Sequence, residues 1–268
     1  MCGECDLIYV YDGSFEGMLS CIFAAFANRE TPARIVAADE LQPSLFARRP
    51  VETDPEHARR VLAGLTQKVS AEAAGIVRDL FLTDLPSRER LALDFTRMAL
   101  REGPKVILMM GDATVSAAVL AVHRAYGEAH KYKGLLRFSD VGGALVAEIE
   151  PKNFVLPLLA RHFCQRFRNE EFLIWDKTHA AALVKQGGEA KLIPLSALEL
   201  PPPDERELQT RRLWRRFFAT IAITERTNPR CQRTNMPKRY WAQLTEMQDE
   251  DTALPAAAAA APSGGAGR

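Results

Sequence analysis

The chain has 268 residues, 47% of them hydrophobic and 26% charged, with 35 Lys and Arg against 34 Asp and Glu for a formal net charge of +1. Such a balance suits a globular chain with one large core or two smaller ones, and excludes a disordered or fibrous one. No apolar run reaches the roughly 18 to 20 residues of a membrane helix, MCGECDLIYVYDG is not a secretory signal, and five scattered cysteines fit a reducing compartment; the expectation is a cytoplasmic protein with no membrane partner.

In chain order, Leu7 to Tyr11 reads as a buried strand, and Asp12-Gly13-Ser14 turns it into a helix from Phe15 to Asn28 capped by Ser14. Arg34 to Ala38 reads as a second strand, and Asp39 to Pro55 as loop. Three helical faces follow: Ala58, Val61, Leu62 and Leu65; Ala73, Ile76, Val77, Leu80 and Phe81; then Leu91, Leu93, Phe95, Met98 and Leu100. Breaks fall at Ser70 and Leu85-Pro86-Ser87. Lys105 to Met110 is too short for its period to separate helix from strand. Asp112 caps a further helix from Ala113 to about His130.

Past Lys131 the period changes. Leu135 to Phe138 and Ala144 to Ile149 read as a hairpin turning at Asp140 to Gly143, and Pro157 opens a helix to Phe167. Phe172 to Trp175, Ala180 to Val184 and Lys191 to Ile193 read as short strands, the last two turning at Gly187-Gly188. The expected fold class is α+β, with a helix-rich N-terminal half and a small antiparallel sheet with helices in the C-terminal half. The expected organisation is a strand-helix and helical region over 1–125, a basic α+β region over 126–248, and a disordered Ala/Pro/Gly tail over 249–268.

The most distinctive stretch runs from Arg206 to Glu246. Leu213, Trp214, Phe217, Phe218, Ile221 and Ala222 form one apolar helical arc, with Arg211, Arg212, Arg215 and Arg216 opposite. A connector with Arg226, Arg230, Arg233, Lys238 and Arg239 follows; its Asn228-Pro229 is a turn or helix-stop signal. From Leu208 to Leu244 there are nine Lys and Arg and one acid, Glu225, which projects onto the apolar arc and would want an arginine partner there. Such a block suits a polyanion. Candidate contacts are Arg215, Arg216, Arg226, Asn228, Arg230, Gln232, Arg233, Lys238, Arg239 and Tyr240, joined by Lys131, Lys133 and Arg137 of HKYKGLLRFSD and by Arg161 and Arg166 of the next helix. The competing reading of these cations is a solvated helix face.

The candidate acid–base groups beside these cations are His130, Asp140, His162 and Asp176, with Glu148 a further acid; no spacing among them identifies a reaction. His123, Tyr126 and His130 share a helical stripe, and Cys2-Gly-Glu-Cys5 matches C-x-x-C, but neither completes a metal ligand set. Neither a metal nor a cofactor is expected.

Four pieces carry a family resemblance: VYDGSFEGMLSCIFAAF, EAHKYKGLLRF, IEPKNFVLPLLARHFCQRF and WRRFFATIAITERTNPRCQRTNMPKRYWAQLTE. On these the chain resembles the bacterial DNA-metabolism or DNA-repair proteins built on domain of unknown function 4130. The resemblance implies a radical SAM protein as partner and relatives fused to a uracil-DNA glycosylase-like domain, but it brings no defined reaction. Lys131-Tyr132-Lys133 stands where the family leads one to expect Arg-Met-Lys. The functional expectation is therefore a DNA-binding accessory protein in repair or modification. Its alternatives are a DNA-acting hydrolase and a protein-interaction subunit that binds no nucleic acid.

Overall fold

The computed structural model describes residues 5–40, 44–223 and 226–248. Glu225, Cys2 and the tail over 249–268 lie outside the described residues, so the expectations placed on them have no structural counterpart here. The chain forms two compact units, residues 1–128 with 152–155, and 129–151 with 156–268.

The first unit opens with β1 (Cys5–Tyr11), α1 (Phe15–Ala27) and β2 (Pro32–Ala37). Ser14 caps α1 by accepting the Gly17 N–H at 2.9 Å, as its position predicts. The loop expected after β2 contains β3 (Ala47–Pro50), which completes a parallel sheet in the order β2-β1-β3. Its sequence, ARRP, has no apolar alternation because all four residues are exposed on the sheet edge. Arginines and a proline are what an edge strand tolerates, and also what hides it from pattern reading.

Around this sheet lie α2 (Pro55–Lys68), α3 (Ala71–Leu80) and α4 (Arg88–Glu102), then a 3-10 turn over Gly103–Leu108 that resolves the ambiguous Lys105 to Met110 stretch. The core gathers Tyr9, Tyr11, Met18, Leu19, Ile22, Leu65, Leu80, Leu93 and Phe95. α5 (Ala113–Leu135) is capped by Asp112, whose Oδ1 accepts the Thr114 and Val115 N–H groups.

α5 runs further than its sequence suggests, so Leu135 to Phe138 is a helix end and coil rather than a strand. The reason is periodic: Ala125, Ala129, Tyr132 and Leu136 are all buried and continue one helical face through the lysines.

The second unit carries a five-stranded sheet in the order β4-β5-β6-β7-β8: β4 (Ser139–Val141), β5 (Ala144–Ile149), β6 (Phe172–Asp176), β7 (Ala181–Gln186) and β8 (Glu189–Pro194). It is mixed rather than antiparallel, and with the N-terminal parallel sheet this revises the expected fold class to a mixed α/β arrangement throughout. Three connections are tight turns and give antiparallel pairs; Gly142-Gly143 and Gly187-Gly188 have the positive φ that two-residue hairpins demand. Between β5 and β6 the chain inserts α6 (Leu156–Arg166), a crossover that returns it in the same direction, so that pair is parallel. Lys185 on β7 is buried and donates to the carbonyls of Phe167, Arg168 and Glu170, satisfying acceptors left open past the end of α6.

α7 (Glu205–Ile221), α8 (Pro229–Asn235) and two 3-10 turns complete the unit. Asn228-Pro229 starts a helix rather than stopping one: Asn228 accepts the Cys231 N–H and Pro229 occupies the first turn. Among the described residues no single helix is long and apolar enough to cross a membrane.

Candidate nucleic-acid interface

The end of α5 with the coil that follows it, the start of β5, α6 and α7 meet around a groove of about 520 Å³ in the second unit. Its lining includes Lys133, Arg137 and Arg166 among the rings of Phe138, Phe163, Phe167 and Trp214. Lys133 stands on the last turn of α5, and Arg137 follows in the coil that leaves it. Arg166 closes the last turn of α6, and Phe163 lies one turn before it. Phe138 fixes the floor, meeting Phe163 and Phe167 edge-on at centroid distances of 5.3 and 4.9 Å.

The three cations differ in electrostatic state. Arg137 donates to both oxygens of Glu246, at 2.6 and 3.2 Å, and its guanidinium lies over the Trp214 ring at 5.3 Å. Trp214 Nε1 also donates to Glu246, at 2.8 Å. Burial alone would raise the Glu246 pKa, but the Arg137 and Trp214 hydrogen bonds and the Arg137 charge outweigh it and hold the carboxyl below its ordinary value. Arg137 is thus largely neutralised and serves to orient Trp214. Lys133 and Arg166 have no ion pair among the described residues, and Arg166 lies over Phe167 at 5.7 Å.

His162 stands beside them. Its Nε2 is buried without a hydrogen-bond partner among the described residues. Burial, then the charges of Lys133 and Arg166, depress its pKa from the ordinary histidine value. The imidazole is therefore neutral near pH 7.

The remaining predicted contacts lie apart from this lining. Arg215 donates to the Thr245 carbonyl. Arg161, Arg216, Arg226, Arg230 and Arg233 are exposed, while Lys131 and Gln232 are half-buried. Lys238 and Arg239 stack over Trp241 and Tyr240 respectively. Tyr240 is a core residue, buried edge-on against Tyr132 at 5.0 Å, and offers no exposed ring to a ligand. Asn228 is spent as a helix cap.

α7 overturns the expected arc. Glu207 is buried and Arg211 and Arg215 face inward, while Leu213, Phe217 and Ile221 are exposed at 68%, 52% and 58%. The inward side is a polar network. Glu207 accepts from Arg211 at 2.7 Å and from the Asp140 N–H, and Arg211 also donates to Ser139. These bonds roll the helix roughly a quarter turn from the orientation its hydrophobicity favours.

The acid–base candidates are scattered. His130 is exposed on α5. Asp140 accepts the Gly143 N–H at 2.8 Å within the β4–β5 turn. Asp176 is fully buried and accepts from the Thr178 and His179 N–H groups and pairs with His179 Nδ1 at 2.7 Å. Strand register sets the two acids apart: Asp140 faces Leu145, which pairs with Phe172, whereas Asp176 lies four residues along β6, roughly 13 Å further. Glu148 is engaged by Lys177 at 2.5 Å. Among the described residues no cluster of three or more His, Cys, Asp or Glu is placed to hold a metal ion.

Sequence reasoning missed Phe138, Phe163 and Phe167 as groove walls, Glu246 as the acid joining Arg137 to Trp214, and His179 beside Asp176. Only the last carried a local signal, an Asp followed three residues later by a His.

No curated protein matches the chain. The model of the family described as Domain of unknown function (DUF4130) matches residues 86–246, a span that contains every residue lining the groove. That span is more than half of the sequence, and the chain belongs to the DUF4130 family.

Proposed function

We propose that this protein is a nucleic-acid-binding accessory factor of DNA repair or modification, acting through the basic, aromatic groove of its second unit beside a radical SAM partner. The observation that carries the binding part is the groove lining: two cations with no acid partner among the described residues, Lys133 and Arg166, set among four aromatic rings. Cations fix a phosphate backbone and ring faces accept bases, so together they suit a nucleic acid better than either does alone. The accessory part rests on the family resemblance, and on the separation of Asp140 from Asp176, which gives a hydrolase no shared pair of carboxylates. Anisotropy of labelled DNA with the full chain tests the binding: it weakens with added salt, and the double change Lys133→Ala and Arg166→Ala abolishes most of it. Binding indifferent to both would remove the reading. Co-purification with the radical SAM protein, with and without nuclease, tests the accessory role separately.

A further inference from the structure

The row of rings that begins in the groove continues outside it. Trp214 lines the groove and is 37% exposed; Phe217, one turn further along α7, is 52% exposed. Their centroids stand 5.8 Å apart with the rings inclined at 35°. Trp214 is held in place by its hydrogen bond to Glu246 and by the Arg137 guanidinium over its ring. A ring fixed before binding loses little freedom when a planar ligand settles on it. Beside Trp214 the groove lining carries Lys133 and Arg166, neither with an ion pair among the described residues, while the acid at this place, Glu246, is taken up by Arg137 and by Trp214 itself.

We infer that the ligand is single-stranded nucleic acid, whose bases stack in turn on Trp214 and Phe217 while its phosphates run past Lys133 and Arg166. The inference rests on the proposed binding function and narrows it to a substrate class. A duplex keeps its base faces inside its own stack, so exposed rings gain nothing from it unless the stack is first opened. A single strand presents a π-face at every nucleotide, which a pinned ring can take with little regard to sequence. A groove of about 520 Å³ also falls within the range of a pocket for one small molecule, which suits an extruded nucleotide rather than a double helix. The same stripe would suit an apolar protein face, but the two groove cations with no ion pair among the described residues, Lys133 and Arg166, favour a polyanion.

The test uses the full chain and three ligands: an oligothymidylate of about 12 nucleotides, inside the usual site sizes of such grooves, an abasic strand of equal length, and a hairpin duplex. The expected order is oligothymidylate tightest, with the duplex and the abasic strand both weaker. Phe217→Ala, at an exposed position that leaves the core untouched, is expected to weaken the oligothymidylate by about five- to hundredfold. It should leave the duplex unchanged, and Phe217→Tyr should restore the loss. Duplex binding as tight as single strand, abasic binding as tight as oligothymidylate, or indifference to Phe217→Ala would overturn the inference while the nucleic-acid function stands. No binding of any of the three would take down both.

Discussion

Glu246 shows how one side chain decides what its neighbours can do. It is 2% exposed, yet it stays ionised because Arg137 and Trp214 both donate to it. Its folded-state pKa lies below the unfolded value, so its contribution to stability is complete above the ordinary glutamate range. That contribution is lost as pH falls through the depressed folded value. Glu246→Gln keeps the shape without the charge and should cost on the order of 1–3 kcal/mol near neutral pH. The variant should also lose less melting temperature than the parent when acidified, as parallel melts at several pH values would show. Equal acid sensitivity would mean that the carboxylate is not held as described. Gly17 is a second residue with no latitude. A Cβ there would sit 2.2 Å from Asp12 Oδ1 and 2.8 Å from both Thr53 Oγ1 and Tyr11 Cδ2. Asp12 cannot simply swing away, because it is held by Ser14 and Thr53. Gly17→Ala, normally favourable in a helix, should therefore destabilise by about 1–3 kcal/mol in a denaturant titration.

At the level of elements, α7 separates hydrophobic pattern from hydrophobic burial. Its pattern puts Leu213, Phe217 and Ile221 in the core; its bonds put Glu207, Arg211 and Arg215 there instead. The two orientations make opposite predictions. Leu213→Ser should change stability by less than about 0.5 kcal/mol, as an exposed substitution does. Arg211→Ala leaves the buried Glu207 without its cation and should cost about 1–3 kcal/mol or more. Thermal melts giving the reverse order would return the helix to its expected roll. The same contrast explains what sequence could reveal. Elements whose period agrees with their burial were legible: β1, α1 with its Ser14 cap, and α5 up to its lysines; the hairpin of β7 and β8 was legible from its glycine turn, although β8 is exposed throughout. Elements held by backbone pairing or by polar side chains were not. β3 is an exposed edge paired with β1, its Arg49 tied to Glu30, and the β5–β6 direction is set by α6 lying between them. Of the groove, Lys133 and Arg137 were visible as neighbouring cations in HKYKGLLRFSD, and Arg166 as a cation of the helix after Pro157. Its rings were not, because Phe138, Phe163 and Phe167 look like ordinary core, and Trp214 belongs to an apolar arc that turned outward.

For the whole molecule, charge is almost balanced, so any attraction for a polyanion is local rather than a property of the net charge of +1. Sequence alone, with its nine clustered cations, leads to an estimate of about six phosphate contacts and a slope of log K against log salt near −5 on duplex. The folded molecule leads to a smaller figure. Arg137 is paired with Glu246, Arg211 with Glu207 and Arg212 with Glu205, and Arg215 is engaged by Thr245. Of the groove lining, Lys133 and Arg166 are left to meet phosphates, with no ion pair among the described residues. Two contacts on a single strand correspond to a slope of about −1.4. Removing Lys133 and Arg166 together should flatten the salt dependence almost completely. A slope near −5 that the double variant leaves unchanged would place the binding surface elsewhere, on Arg226, Arg230 and Arg233, and the groove would lose its role. A slope of about −1.4 that collapses in the variant would tie binding to the two groove cations that have no acid partner among the described residues.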